Sequence, residues 1–331
     1  MEFASMHVLV TGGAGYVGSV VCEELLKNGH KVLILDNLQQ GHKKAISPEA
    51  VFFQADIGDM PAVNAIFDHH KIDAVMHMAA ETVVEFSMTD PRRYFQNNII
   101  SATNFLDAML KHDVRNFIFS SSAAVYGEPE TDIIEEDHPK VPINSYGESK
   151  LLFERILYWY GKAYGLKHIS MRYFNAAGAS RKLGECHLPE THLIPNILKA
   201  AVAHNGPVTI FGTDYPTRDG SCIRDYVHVS DIAAAHCLAL EKLEEFGGRA
   251  YNLGSETGHS VLEVLETARR VTGIDIPSKI RDRRFGDPAV LVASSSRAKA
   301  ELGWKPQHSN LETIISSAWQ WMERHPNDYA K

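Results

Sequence analysis

The chain has 331 residues, of which 44% are hydrophobic and 22% charged, a composition typical of globular proteins with one large core or two lobes. Its formal net charge is -8 and it has no run of Lys or Arg, so we expect no nucleic-acid partner. No apolar run reaches the roughly 18 residues that a membrane helix needs, so we expect no membrane partner.

The cysteines and histidines predict neither a disulfide framework nor a metal site. The chain has four cysteines, Cys22, Cys186, Cys222 and Cys237. They lack paired ligand spacing, and no signal peptide is visible, so we expect a reduced, cytoplasmic protein. The spacing of His69-His70, His187 and His192 also matches no metal motif. Residues 1–5 precede a second methionine, Met6, and are interpreted as a leader outside the fold.

Short apolar runs alternate with amphipathic stretches along the first half of the chain. We predict strands at 7–11, 32–35, 51–53, 74–76, 117–119 and 169–172. Helices are predicted for Tyr16–Asn28, which stops at Gly29, and near 62–69 and 92–111. This alternation predicts an α/β fold with a Rossmann-type, doubly wound parallel sheet covered by helices on both faces.

A glycine-rich loop connects the first predicted strand to the first predicted helix. Its sequence, 12–18, reads Gly-Gly-Ala-Gly-Tyr-Val-Gly. Such glycines permit a tight turn and let backbone N–H groups approach a pyrophosphate at the helix N-terminus. Asp36 ends the second strand about 20 residues further on, where a carboxylate accepts hydrogen bonds from a ribose diol and repels a 2′-phosphate. The motif therefore favours NAD over NADP.

Two further segments lie where the ligand edge of the predicted sheet would be. Asp56-Ile57 follows the third strand and could meet the adenine. Met78-Ala79-Ala80 follows the fourth strand, and its small residues would let a dinucleotide approach the sheet closely.

A tyrosine and a lysine four residues apart predict the chemical centre. Tyr146 and Lys150 share one helix face at this spacing. Ser145 and Glu148 have capping-box spacing, which predicts that the helix begins there and that Tyr146 lies in its first turn. A neighbouring Lys should lower the pKa of Tyr146 and make the phenolate a general base for a sugar or alcohol hydroxyl. Ser122, after the fifth strand, could relay the proton.

These motifs resemble the extended short-chain dehydrogenase/reductases and, among them, the UDP-glucose 4-epimerases, over essentially the whole chain from Met6. The matching stretches are Thr11–Ser19, Asp36–Leu38, Asn97-Asn98, Ser120–Gly127, Tyr146 with Lys150, Arg172–Asn175, Ile210–Thr217, Ile223–Val229 and Tyr251–Gly254.

The resemblance implies a role for each matching position. Tyr146 would be the base and acid, Lys150 would tune it and hold the nicotinamide ribose, and Ser122 would orient the 4-hydroxyl. The residues expected to contact NAD are Gly12, Gly15, Tyr16, Val17, Gly18, Asp36, Asn37, Leu38, Asp56, Ile57, Met78, Ala79, Ala80, Asn97, Ser120, Tyr146, Lys150, Tyr173 and Phe174. Those expected to contact the UDP-sugar are Ser122, Tyr146, Asn175, His192, Leu193, Ile210, Phe211, Arg224, Arg284, Asp287 and Leu291.

The expected domains follow from this assignment. Residues 6–180 would form the NAD-binding domain with the Ser/Tyr/Lys centre. Residues 181–331 would mainly form a smaller α/β lobe for the UDP-sugar, with some segments returning to the first domain. A homodimer is implied, through helices near Arg92–Lys111 and Leu151–Tyr164, although the apolar residues of the second helix fit a core equally well.

The activity implied is reversible inversion at C4 of UDP-glucose and UDP-galactose through a transient 4-keto sugar. Related dehydratases and decarboxylases carry acidic residues just after the active-site Ser/Thr, where this chain has Ala123 and Ala124. Epimerases of UDP-N-acetylhexosamines, UDP-pentoses or UDP-glucuronate remain alternatives, because Leu291 occupies the position that limits the N-acetyl side. A non-catalytic NAD-binding sensor is a less favoured alternative, since binding alone does not require Ser122, Tyr146 and Lys150 together.

Overall fold

The computed structural model describes residues 5–203, 206–284, 287–326 and 329, so four of the five residues interpreted as a leader lie outside it. Its strands are β1 (His7–Thr11), β2 (Lys31–Asp36), β3 (Val51–Gln54), β4 (Ala74–His77), β5 (Asn116–Ser122), β6 (Ile133–Ile134), β7 (Lys167–Tyr173), β8 (Asn175–Ala177), β9 (Val208–Phe211), β10 (Ile223–His228), β11 (Arg249–Leu253), β12 (Gly258–Ser260), β13 (Ser278–Arg281) and β14 (Val290–Ala293).

The helices alternate with these strands through much of the chain. They are α1 (Tyr16–Lys27), α2 (Met60–His69), α3 (Val84–Thr89), α4 (Pro91–Phe95), α5 (Ala102–Lys111), α6 (Ser145–Tyr164), α7 (Leu193–Ala203), α8 (Val229–Glu241), α9 (Leu243–Phe246), α10 (Val261–Thr272) and α11 (Leu311–Arg324). Within the described ranges, no helix combines the length and the apolar character needed to cross a membrane.

A seven-stranded sheet carries the predicted α/β architecture. Its order is β11-β7-β5-β4-β1-β2-β3, and every pair is parallel. The strand order reverses between β1 and β4, and ligands of doubly wound folds bind at such a switch point. The Rossmann-type prediction is confirmed, and each of the six predicted strands lies within a strand of this sheet.

The second half of the chain forms smaller sheets and also returns to the large one. One sheet has the order β12-β10-β14-β6, with β8 paired to β10, and β13 pairs with β9. Strand β11 extends the large sheet beside β7, and helix α8 shares a buried core with α1 through Val229, Ile232, Val20 and Val21. The division at residues 180 and 181 stays a prediction.

The predicted helix at 92–111 is interrupted. The chain runs from α4 through a π-helical turn at Gln96–Ser101 into α5. Asn98 in this turn is buried; its side chain bonds both the N–H and the carbonyl of Glu81 and also donates to Ser149 Oγ at 3.0 Å. A π-helical turn contains more residues than an α-helical turn, so it points Asn98 in a different direction without ending the helix. The hydrogen bonds of Asn98 with Glu81 and Ser149 stabilise that direction.

The predicted capping box of Ser145 and Glu148 is wrong. Asn144 caps α6 by accepting a hydrogen bond from Gly147 N at 2.8 Å, and Ser145 is the first helical residue. The Ser145 hydroxyl instead donates to the carbonyl of Ser87. Asn and Ser are about equally good N-caps, so Asn144 can cap the helix one residue before the predicted Ser145. Tyr146 still lies in the first turn.

A buried ion pair holds α6 against the sheet. Arg172 on β7 donates to both carboxylate oxygens of Glu154 on α6, at 2.9 and 2.6 Å. The two side chains are only 4% and 10% exposed. Ser121 at the end of β5 donates to the same carboxylate at 2.6 Å, and Arg172 also donates to the hydroxyl of Tyr126 at 2.9 Å.

Breaking this pair should destabilise the protein strongly. We expect Glu154→Ala or Arg172→Ala to lower the free energy of unfolding by about 3–5 kcal/mol, because each leaves a buried charge unpaired. The double variant Arg172→Met/Glu154→Leu should recover much of that loss. The exposed Lys167–Glu244 pair is the control, and Lys167→Ala should cost no more than about 1 kcal/mol. Urea unfolding measures all four; equal losses in the buried and exposed single variants would contradict the prediction.

Candidate active site

A cavity of about 1640 Å³ runs along the carboxyl ends of the large sheet and into the second half of the chain. Typical small-molecule pockets measure about 300–1,000 Å³, so there is room for more than one ligand. Its wall contains most predicted site residues: Gly12, Gly15, Tyr16, Val17, Gly18, Asp36, Asn37, Asp56, Ile57, Met78, Ala79, Ala80, Asn97, Ser120, Ser122, Tyr146, Lys150, Tyr173, Phe174, Asn175, His192, Leu193, Phe211, Arg224, Arg284 and Asp287.

Three predicted residues, Leu38, Ile210 and Leu291, do not line this cavity. Leu38 has a positive φ of 61° and donates its backbone N–H to Asp36 Oδ1 at 2.8 Å. Ile210 is buried in the core beneath α7. Leu291 lies beside Arg224 in the sheet and packs against the small core that contains Phe174.

The glycine-rich loop turns tightly against its neighbouring backbone because its glycines have no side chains. Gly12 has a φ of 73°, and a Cβ there would lie 2.7 Å from Ala79 N. A Cβ on Gly18 would lie 2.1 Å from Gly12 O, so only glycine permits this close turn. No side chain caps the first turn of α1, and its N–H groups remain suited to a phosphate.

The end of the cavity beside β2 is lined by carboxylate and amide groups. Asp36 is buried at the end of β2 and accepts hydrogen bonds from Ala14 N at 3.0 Å and from Leu38 N. Burial raises the pKa of Asp36, against the effect of these hydrogen bonds. Asn37 donates to Asp56 at 2.7 Å. The glycine-rich loop, the uncapped N-terminus of α1 and the carboxylate of Asp36 together fit a dinucleotide with a free ribose diol.

Tyr146, Lys150 and Ser122 meet at the middle of the cavity. Tyr146 at the start of α6 faces Ser122 at the end of β5, and the Ser122 hydroxyl is close enough to lower the pKa of Tyr146. The ammonium of Lys150 lies 5.8 Å from the centre of the Tyr146 ring and donates to Ser120 O at 2.7 Å. The i, i+4 spacing thus places both side chains on one helix face, as predicted.

The electrostatics of this group differ from the sequence prediction. Burial raises the pKa of Tyr146, and the neighbouring Ser122 hydroxyl offsets only part of that rise. Burial also lowers the pKa of Lys150 to about 7, despite the favourable charge of Glu154. The expectation that Lys150 lowers the pKa of Tyr146 is therefore wrong for the protein alone, since desolvation acts against both charged forms.

Several buried polar residues that support the site went unrecognised in the sequence. Thr11 Oγ1 lies 2.8 Å from His77 Nδ1 and accepts from the backbone N–H groups of Met78 and Ala79. Burial, with a smaller contribution from Lys150, lowers the pKa of His77 to about 3, so this histidine stays neutral. Thr11 and His77 are polar residues at the ends of otherwise apolar strands, and this pattern could have identified them in the sequence.

The far end of the cavity contains the predicted arginines. Arg224 donates to Asp287 at 2.8 Å and to Pro288 O at 2.8 Å. The Arg284 guanidinium lies 4.0 Å from the centre of the Phe211 ring. Guanidinium groups give charge-assisted hydrogen bonds to phosphates, and an aromatic ring can pack against a base.

His192 lies in an ion-pair cluster at the edge of the cavity. Its Nδ1 is 2.8 Å from Glu185 and 2.9 Å from Glu190. Burial alone would lower the pKa of His192, but the two carboxylates raise it to about 10. His187 also lies 3.1 Å from Glu185, so the fold gathers residues whose spacing suggested no motif.

A Rossmann sheet with a Ser/Tyr/Lys centre at its ligand edge defines the class of short-chain dehydrogenase/reductase-like proteins. The model of the NAD dependent epimerase/dehydratase family matches residues 8–254, and the chain belongs to that family.

Individual relatives agree with this placement. The chain is 50% identical over 327 residues to a UDP-glucose 4-epimerase of Lactobacillus helveticus, covering 98% of this chain and 99% of the relative. A crystal structure of a UDP-glucose 4-epimerase superposes with a TM-score of 0.96 at 45% identity, covering 98% and 100% of the two chains. The UDP-glucose 4-epimerase of Brucella ovis in complex with NAD gives 0.92 at 42% identity, covering 96% and 98%.

The buried Lys150 should make stability depend on pH. Its pKa is about 7 in the folded protein, against 10.5 ordinarily, so between these values the unfolded chain binds more protons and stability rises with pH. We expect the wild type to gain roughly 1.4 kcal/mol of unfolding free energy per pH unit relative to Lys150→Met in this window.

Urea unfolding at several pH values above 7 measures this difference. Lys162→Met, on the exposed face of the same helix, should keep the wild-type slope. Parallel curves for the wild type and Lys150→Met would contradict the prediction.

Proposed function

We propose that the chain is an isomerase that reversibly inverts C4 of UDP-glucose and UDP-galactose with tightly bound NAD. The observation that carries the proposal is the meeting of Ser122, Tyr146 and Lys150 in a cavity that extends from the glycine loop to Arg224 and Arg284. Family membership and the UDP-glucose 4-epimerases among its relatives support it.

The cofactor would lie across the switch point between β1 and β4. The loop at Gly12–Gly18 would bind its pyrophosphate, Asp36 its adenosine ribose, and Lys150 its nicotinamide ribose. When bound, NAD supplies the acceptor for the C4 hydride and returns it, so that no net oxidation occurs.

The chain's own residues would move the proton and hold the substrate. Tyr146 Oη would take the proton of the 4-hydroxyl and return it when the 4-keto group is reduced, with the neighbouring Ser122 hydroxyl orienting the sugar oxygen. Burial now favours the neutral phenol, so positive charge from Lys150 and from the bound nicotinamide would be needed to favour the phenolate.

The UDP part would stay fixed while the sugar turns. Arg224 and Arg284 would bind the diphosphate, and Phe211, Asn175, His192, Leu193 and Asp287 would surround the uridine. A 4-keto sugar anchored only through the diphosphate could present either face of C4 before reduction. Ala123 and Ala124 provide no carboxylate for elimination, which favours inversion over dehydration.

The direct test is to incubate the protein with UDP-galactose and resolve the epimers by chromatography. We expect the protein to convert UDP-galactose into UDP-glucose. The kcat/KM for UDP-galactose should exceed those for UDP-N-acetylgalactosamine, UDP-xylose and UDP-glucuronate assayed in parallel. If only one of the other UDP-sugars is converted, UDP-galactose is the wrong substrate and the converted sugar replaces it. No turnover of any would favour an NAD-binding sensor.

Tyr146→Phe tests the assigned base in the same assay. Loss of positioned proton transfer should lower kcat by about 10²–10⁴-fold. Tyr160→Phe is the matched control, because its hydroxyl lies on the same helix but donates to Asp107 at the surface, at 2.8 Å. Near-normal turnover in Tyr146→Phe would refute the assignment.

We also propose a homodimer formed through α5 and α6 and the adjoining π-turn. Leu151 and Leu157 of α6 are buried in the core, but Trp159 is 67% exposed and Ile100 in the π-turn is 49% exposed. Burial of such apolar side chains between two copies would stabilise a dimer. Trp159→Glu should therefore give a monomer in light scattering, whereas Lys305→Glu, at an exposed position outside these helices, should stay dimeric. A monomeric wild type would refute the dimer.

A cytoplasmic location is proposed on the state of the cysteines. All four are buried and none forms a disulfide bond, as expected in a reducing compartment. Cell fractionation checks this location.

A further inference from the structure

Two histidines and two glutamates converge in the segment between β8 and α7. Glu185, His187, Glu190 and His192 each offer one ligand atom, and these atoms lie within 4.8 Å of one another. His192 Nδ1 is 2.8 Å from Glu185 Oε1, His187 Nδ1 is 3.1 Å from the same oxygen, and His187 Nδ1 is 3.9 Å from Glu190 Oε2. Ligand atoms around a tetrahedral zinc are roughly 3.3 Å apart, given bonds of about 2.0–2.1 Å.

One carboxylate oxygen of this cluster is buried without a hydrogen-bond partner among the described residues. The Glu190 side chain is 5% exposed, and its Oε1 accepts from the backbone N–H groups of Thr191 and His192, each at 2.9 Å. These bonds fix the carboxylate. Its Oε2 is buried and has no hydrogen-bond partner within the described residues, although it faces His187. A buried carboxylate oxygen left without a partner is costly, and a cation would satisfy it.

We propose that Glu185, His187, Glu190 and His192 bind one divalent transition-metal cation, for which zinc is the best match. Imidazole and carboxylate are both zinc ligands, and four such groups complete a closed tetrahedral site. Two carboxylates with neutral imidazoles carry a charge of minus two, which one dication neutralises. Ligation through Nδ1 leaves Nε2 of His192 available as a hydrogen-bond donor toward the cavity wall to which it belongs.

The site would tie the second half of the chain to the nucleotide loops. The Cys186 carbonyl lies 2.7 Å from His42 Nε2, and Gln40 donates to Leu188 O at 3.1 Å. The His187 ring packs edge-on against Tyr16, with ring centres 6.2 Å apart. A bound cation would therefore be structural, and metal that binds only the folded chain would stabilise it. This role does not depend on the proposed function.

Zinc titration of the purified full-length protein, first dialysed against a chelator, tests the proposal. We expect one equivalent of tightly bound zinc, a higher melting temperature on reloading, and at least tenfold weaker binding in Glu190→Gln and in His187→Gln. Asp68→Asn is the matched control, because it removes a carboxylate 3.7 Å from His112 outside the cluster, and it should bind zinc like the wild type.

A second measurement keeps the proposal falsifiable should a variant fail to fold. Wild-type protein loaded with one equivalent of Co²⁺ should show the intense visible absorption of a tetrahedral site, and zinc should displace it. The proposal is overturned by wild-type binding no tighter than scattered surface histidines provide, by folded Glu190→Gln and His187→Gln variants that bind as tightly as the wild type, or by an octahedral Co²⁺ spectrum.

Discussion

The buried pair of Arg172 and Glu154 is the interaction on which the geometry of the site depends. Two charges removed from water are tolerated only when they are paired and fully hydrogen-bonded, so the pair permits one position of α6 against β7. The same carboxylate accepts from Ser121, which fixes the end of β5 beside that helix. Tyr146 on α6 and Ser122 on β5 therefore meet because this pair allows little sliding between their elements.

The network around this pair also joins the two halves of the chain. The Tyr126 hydroxyl accepts from Arg172 and donates to Asn252 of β11 at 2.6 Å. Asn252 in turn donates to Ile134 O at 2.9 Å, beside the sheet that contains Arg224. The centre that would move the proton is thus connected by buried polar contacts to the sheet that carries Arg224, and such contacts lose stability if they are only partly satisfied.

Desolvation determines the chemistry of the central residues more than their mutual distance does. Burial raises the pKa of Tyr146 and lowers that of Lys150, so the surroundings favour neutral forms of both. The same property would make the site responsive to charge introduced by a ligand, since electrostatic interactions strengthen away from water. His192 has the opposite character, because the carboxylates of Glu185 and Glu190 raise its pKa against the effect of burial.

Local sequence patterns predicted the positions of strands and helices well, but they did not predict the cap of α6 or the π-turn. The glycine loop, the six strands and the first turn of α6 all follow from residues close together in the chain. The capping error arose because Asn144 and Ser145 are both good caps, and only the contact of Ser145 with Ser87 distinguishes them. The π-turn depends on Asn98 meeting Glu81 and Ser149, which no local pattern shows.

The sequence by itself determined the alternation of strands and helices in the first half of the chain, the dinucleotide loop, the shared face of Tyr146 and Lys150, and the family resemblance. Each of these rests on periodicity, turn chemistry or motif spacing within short segments. Only the tertiary structure decided the pKa directions of Tyr146 and Lys150, the position of Leu291 outside the cavity wall, and the convergence of Glu185 and His187 with Glu190 and His192. Burial and multi-residue contacts set these properties, and both arise from packing between elements that are distant in the chain.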